Sequence, residues 1–199
     1  MSYFTAGLWH FAAAMAFSAT LGLLAGGELD FWLLRAEFLI PLVLSSCALF
    51  FVPDKWAKKG PLKFLHYPLP DWDVLLLGPA SHRHWLAHSP LLPLILFGLA
   101  QRFPFLIQAP LTGIATGLAV GIGSHLFWDC VSSRTHKIVF VPHWLALREA
   151  SSRVYLLGGA VLSLGVAAYF SSMQPGAFSL VKEAPYFISP KSSSTILSR

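Results

Sequence analysis

Residues 70–89 read PDWDVLLLGPASHRHWLAHS, a stretch that holds two aspartates, three histidines and an arginine. In a chain of 199 residues of which only 12% are charged, that concentration needs a chemical reason. Carboxylate oxygens and imidazole nitrogens are the ligand set of zinc and other borderline divalent ions. A second such pair, His125 and Asp129, stands further along the chain. On an α-helix that spacing puts both residues on one face. There they can serve one ion, serve two neighbouring ions, or simply hydrogen-bond each other. Beside the 70–89 stretch the metal reading is the strongest of the three, with the site at a membrane surface.

The surroundings are apolar. Hydrophobic residues make up 55% of the chain and the mean hydropathy is +0.62, which is too apolar for an ordinary soluble domain. The bilayer is the expected solvent. The formal charge of +5 comes from 14 basic and 9 acidic residues. These cluster in loops rather than along a face, which argues for a basic membrane surface and against a nucleic-acid partner. Cys47 and Cys130 fall in or beside apolar segments without Cys-x-x-Cys spacing, and read as small packing residues. Cys130 follows Asp129 directly and would point off the Asp129 helix face.

Apolar segments at 8–26, 31–52, 86–100, 105–131 and 154–170 predict an all-α bundle of about five membrane helices. No Lys or Arg precedes the first, so it lacks the charged start of a cleavable signal and is expected to be retained, with His10 in it. An acidic turn follows, with Gly26, Gly27, Glu28 and Asp30. Arg35 and Glu37 open the second segment, where they are expected to pair in the headgroup layer, and Pro53 ends it. Pro90 and Pro93 lie in the first turns of the third, where a missing amide hydrogen costs least. That segment is short for a full span, so a tilt or a half-buried start is expected. The fourth carries Thr112, Gly113, Thr116, Gly117, Gly121 and Gly123, small residues that allow close helix contact. The chain thus divides into a membrane-embedded part, 1–171, and a flexible tail rich in Ser and Pro, 172–199.

Basic loop residues accumulate on the cytoplasmic side. The loop 54–70 has Lys55, Lys58, Lys59 and Lys63 against Asp54, and the loop 132–152 has Arg134, Lys137 and Arg148 against Glu149. This orientation makes an integral, multi-pass membrane protein whose N-terminus and basic loops share the cytoplasmic side. All eight histidines (His10, His66, His82, His84, His88, His125, His136 and His143) then fall on that side. Asp71, Asp73 and Asp129 join them. Ionisable residues at membrane-helix ends tend to face the bundle interior or a wet cavity and to be functional. An interfacial aromatic and cationic cluster around Trp85 is the alternative for His82, His84 and His88. His84 and His88 share a helical face, whereas His82 must precede the helix or turn away. The Arg83 guanidinium offers a bidentate fork to a phosphate.

As an ordered set, PDWD, then HR with HS shortly after, then a helical His-x-x-x-Asp, with an early histidine in LWHF, resembles the YdjM-like membrane-bound metal-dependent hydrolases. The resemblance covers roughly residues 8–170. It implies a distant relation to the zinc-dependent phospholipase C and nuclease superfamily, an all-α fold with histidine and aspartate ligands around a cluster of ions. Carried over by position, it makes His10, Asp71, Asp73, His82, His88, His125 and Asp129 ligands of a divalent metal, zinc foremost, with one to three ions. Arg83 and Ser89 become supporting residues. Ala87 stands where the family usually has threonine, and the interval from HR to HS is longer than the common form. The ligand role therefore stays open between His82 and His84.

The implied activity is hydrolysis of a phosphoester by a metal-activated water, with Asp71 or Asp73 accepting the proton. A site at headgroup level makes a lipid or lipid-linked phosphate the expected substrate. Two other classes compete. A membrane cytochrome also places histidines in helices, but haem needs facing axial ligands and gives Asp71, Asp73 and Asp129 no role. A structural or assembly protein that keeps the hydrolase-like fold without the activity, among the subunits of a membrane complex, is the other. The purified protein is expected to show no Soret band in its absorbance spectrum; such a band would put the cytochrome first.

Overall fold

The computed structural model describes residues 3–26, 35–52, 62–132 and 137–173. In chain order its helices are α1 (Tyr3–Gly26), α2 (Ala36–Ser46), α3 (Leu62–His66), α4 (Trp72–Leu77), α5 (Leu91–Arg102), α6 (Leu111–Ser132) and α7 (Glu149–Ser172). Single 3-10 turns lie at Leu69–Asp71, Pro79–Ser81 and Pro104–Ile107. One small antiparallel hairpin pairs β1 (Val139–Val141) with β2 (Leu145–Ala146). The described chain is therefore mostly helical, as the apolar pattern predicts. The acidic turn at Gly27, Glu28 and Asp30 lies outside the described residues, as do Pro53, Asp54, Lys55, Lys58 and Lys59. So do Arg134, His136 and the tail beyond residue 173.

Among the described residues three helices, α1, α6 and α7, are long and apolar enough to cross a membrane. The sequence pattern predicts five such crossings, and the second and third of them are the short apolar helices α2 and α5, of 11 and 12 residues. At 1.5 Å per residue these are about 16 and 18 Å long, against a hydrocarbon core of about 30 Å. Local chemistry explains both endings. After Ser46 the chain turns at Ala48, whose φ is 52°, and the Leu49 amide donates to the Leu65 carbonyl instead of continuing α2. Ahead of α5, residues 84–89 form a tight turn, and the helix begins only after Pro90.

The centre of the bundle is α6. Its apolar span is 67% buried, against 22% for α1 and 44% for α7. Its glycines explain how neighbours come so near. A Cβ on Gly117 would run into the Phe38 carbonyl oxygen of α2. One on Gly121 would strike Ser45 Oγ and lie 2.7 Å from the Leu42 carbonyl oxygen, and one on Gly113 would lie 2.8 Å from Glu37 Cγ. These three positions, four apart, form a groove that receives the α2 backbone. Gly123 instead faces α7, where a Cβ would be 2.9 Å from Leu164 Cγ. The small-residue stripe thus serves two neighbours.

Apolar packing completes each contact. Phe38, Leu42, Ala119, Val120, Ala167 and Phe170 are part of one buried cluster. A second, with Ile122, Leu126, Ile138, Leu156 and Ala160, ties the loop after α6 to α7. Within that loop the Ile138 amide donates to Ser152 Oγ at 2.9 Å. Arg35 and Glu37 come together as expected, Nη1 to Oε1 at 3.9 Å.

Gly117→Val would push α2 off α6. Overpacking of this kind costs about 1–3 kcal/mol, so the variant is expected to melt at least about 3 °C lower in detergent. Circular dichroism on heating measures it, and an unchanged melting temperature would show that the backbone contact matters little.

Candidate metal centre

Separate parts of the chain meet at one end of the bundle. Helix α1 brings His10, and α6 brings His125 and Asp129. Beside these ligands Trp9 stacks on Trp128, ring centroids 5.5 Å apart, and locks the two helices together. The 3-10 turn Leu69–Asp71 brings Asp71, with Pro70 presetting the backbone of the turn. The next residue anchors it: the Trp72 indole donates to the carbonyls of Phe64 and Tyr67 at 3.0 and 3.1 Å. Gly78, at φ 90°, ends α4 and redirects the chain into the segment that carries His82, Arg83 and His88.

Among the described residues two groups here could hold a metal ion: His10, His125 and Asp129, and Asp71, His82 and His88. Within each group the ligand atoms all lie within 4.8 Å of one another. The carboxylates join the groups. Asp71 Oδ1 is 3.3 Å from His88 Nε2 and 3.7 Å from both His82 Nδ1 and His125 Nε2. Asp129 Oδ2 is 3.5 Å from His88 Nε2 and 3.9 Å from His125 Nε2, and its Oδ1 is 4.0 Å from His10 Nε2. Two atoms bound roughly 2.0–2.1 Å from one tetrahedral ion sit about 3.3 Å apart. The observed spacings, 3.3–4.0 Å, are those of His–Asp ion pairs and are close enough to this value that the same atoms could hold an ion.

Unsatisfied polar atoms test whether the residues fit an ion. Asp71 Oδ1, Asp129 Oδ2, His10 Nδ1, His125 Nε2 and both ring nitrogens of His88 are buried without a hydrogen-bond partner. Each such atom costs about 1–3 kcal/mol if nothing answers it. His125 is the clearest case. Its Nδ1 donates to the Ser46 carbonyl oxygen at 2.9 Å, so in the neutral ring Nε2 carries the lone pair. Nε2 faces the Asp71 and Asp129 carboxylates, where either a proton or a metal ion on it would answer them. The backbone contact is the usual support that fixes a ligand imidazole in one tautomer.

Asp73 falls outside both groups, and its carboxylate is engaged elsewhere. Oδ1 accepts from the Val74 amide and Oδ2 from the His84 amide, each at 2.7 Å, and Oδ2 is also 3.4 Å from His88 Nδ1. Residues two apart on a helical turn point in different directions, so Asp71 reaches the cluster while Asp73 turns to the 82–88 segment. His84 contributes its backbone amide and is in neither group, whereas His82 is. Arg83, buried at φ 67°, directs Nε to 3.3 Å from Asp129 Oδ2. Ser89 Oγ donates to the Leu86 carbonyl and accepts from the Leu91 amide, which fastens the start of α5. His66 is buried and His143 exposed, and neither joins a group.

Three ionisations outside the long helices follow from this crowding. Burial alone would raise the Asp71 carboxyl, but the His125 and His88 rings, 3.7 and 3.3 Å away, outweigh it and hold it well below the usual carboxylate range. Burial likewise opposes charge on His88, yet Asp129, Asp71 and Asp73 around the ring raise its basicity well above that of a free imidazole. A metal ion held by these carboxylates would compete with a proton on His88. His82 moves the other way, lowered by burial with Asp71 opposing.

A cavity of about 470 Å³ opens onto the cluster. Ala6, Gly7, Pro68, Val74 and Pro79 give it apolar walls, and His10, Asp71, His82 and Asp129 line it as well. Cys47, read from sequence as a packing residue, also lines it. The Ser46 carbonyl is a partner of His125 that no residue pattern announces, because every residue type carries that group.

His125→Ala and Asp129→Ala are each expected to lose most bound metal while the protein stays in the membrane fraction, measured by elemental analysis of the purified variants. Asp73→Asn should keep the ligands and weaken metal affinity by about 10–100-fold. Full metal content in both alanine variants would remove the site. No family model, curated protein or solved structure matches the chain.

Proposed function

We propose that the protein is a membrane-bound metal-dependent hydrolase of phosphoesters, of the YdjM-like kind, with a phospholipase C-like core. The observation that carries this reading is the convergence of His125 Nε2 on Asp71 and Asp129, at 3.7 and 3.9 Å, at the edge of a 470 Å³ cavity. Mixed nitrogen and oxygen donors without thiolate suit zinc. A bound divalent ion supplies Lewis-acid polarisation of a phosphoryl oxygen and makes water acidic enough to attack near neutral pH.

The protein's own residues would do the rest. His10, His82, His88, His125, Asp71 and Asp129 hold the ions, with Asp71 and Asp129 between the two groups. Asp73 orients His88 through Nδ1, so its part is positioning rather than ligation. Asp73, whose oxygens already accept backbone amides, is not free to accept a proton, and Asp71, which lines the cavity with its carboxyl held well below the usual range, serves as a ligand rather than as the base. Arg83 is not among the residues lining the cavity. Its guanidinium braces Asp129, and we assign it to that carboxylate rather than to the substrate phosphate. The apolar walls exclude water and receive the uncharged part of a lipid or lipid-linked substrate.

In the membrane we read α1, α6 and α7 as spans, and the short apolar helices α2 and α5 as half-length elements packed on them. The basic loops of the sequence favour the cytoplasmic side for the site.

Zinc-loaded protein in detergent is expected to turn over at least one member of a phosphomonoester and phosphodiester panel. Chelation should abolish turnover, re-addition of zinc should restore it, and His125→Ala should lower it at least a hundredfold. Stoichiometric zinc without hydrolysis of any substrate would overturn the reading. Co-purifying subunits would then favour the non-catalytic assembly role.

A further inference from the structure

The hairpin that follows α6 has features the hydrolase reading leaves unused. Trp144, at its tip, is 85% exposed, the highest value among the exposed large apolar residues, and Val141 and Leu145 beside it are 40% and 54% exposed. An indole left almost bare is costly in water, at about 25 cal/mol per Å² of apolar surface. Two cations flank this apolar tip, Lys137 before β1 and Arg148 after β2, both exposed. Trp85 lies against the same hairpin, its ring stacked on Phe140 with centroids 5.8 Å apart.

Chain geometry fixes the level at which this tip sits. The hairpin lies between two candidate spans, α6 ending at Ser132 and α7 beginning at Glu149. The 24 residues of α7 make about 36 Å of helix, longer than the roughly 30 Å hydrocarbon core, so its first turn stands in the headgroup layer. Only Leu147 and Arg148 separate β2 from that turn. Tryptophan favours this layer because its ring is apolar and its N–H is wet. Lysine and arginine there attract anionic lipid headgroups at about 1 kcal/mol each.

We propose that the hairpin is an interfacial anchor, with Trp144, Val141 and Leu145 inserted among lipid headgroups and Lys137 and Arg148 paired with anionic ones. The anchor is coupled to the metal centre by backbone. The Val139 amide donates to the Arg83 carbonyl and the Trp85 amide to the Val139 carbonyl, both at 3.0 Å. Anchoring β1 therefore also holds the segment from which Arg83 reaches Asp129. A protein subunit covering the same tip would need no anionic lipid.

The test uses the full chain in nanodiscs of phosphatidylcholine, with or without a third of phosphatidylglycerol. Trp144→Cys, in a Cys130→Ser background, carries an environment-sensitive fluorophore. Expected is blue-shifted emission that lipids brominated near the headgroup end of the acyl chain quench at least twofold more than lipids brominated near the chain terminus. Lys137→Glu with Arg148→Glu should reduce that quenching in the anionic discs only. Water-like emission indifferent to brominated lipid would overturn the proposal, as would blue-shifted emission without quenching, which marks a protein cover. Melting temperature and metal content of the labelled protein, expected unchanged, establish that the exposed substitution leaves the fold intact. The readout does not depend on hydrolysis, so the anchor and the enzymatic reading can fail separately.

Discussion

Close approach of α2 to α6 is the constraint on which the rest depends. Gly113, Gly117 and Gly121 remove the side chains that would otherwise hold the two backbones apart. The consequence appears at the far end of α2, where the Ser46 carbonyl reaches His125 Nδ1. A buried histidine in an apolar helix is thereby held in one orientation, with Nδ1 as the donor. The same approach lets Phe38 and Leu42 be buried against Ala119 and Val120, so packing and site geometry have a common origin.

The centre itself is a problem in charge. Asp71, Asp73 and Asp129 surround the fully buried His88 ring, and Arg83 adds a fixed positive charge beside Asp129. Carboxylates brought this close in a poorly solvated place repel one another unless cations intervene. The protein supplies part of that compensation from Arg83 and protonatable imidazole. The atoms left without partners mark where the remainder belongs.

Much of this was legible in the chain before any coordinates. Histidine and aspartate stand out against an apolar background because burying them demands an answering group, and four-residue spacing puts His125 and Asp129 on one helical face. The helical class and the small-residue stripe followed from composition and period. Helix lengths did not, since an apolar run says nothing of where the backbone turns. Ala48 at positive φ and the tight turn ahead of Pro90 shorten two runs that read as continuous. The part played by Asp73 was equally hidden, because its partners are backbone amides at Val74 and His84. The choice between His82 and His84 needed the direction of each side chain, which spacing alone cannot give.

Arg83 occupies a backbone region that costs a non-glycine residue about 1–2 kcal/mol. Glycine would sit there without penalty, and the reversal alone would be better served by it. What glycine lacks is a guanidinium to meet Asp129. By leaving the regular path at that point, the chain sends three successive residues to three destinations: the His82 ring to Asp71, the Arg83 side chain to Asp129, and the His84 amide to Asp73. An insertion or deletion of one residue in this tripeptide would reassign all three at once, so length here is as tightly specified as identity.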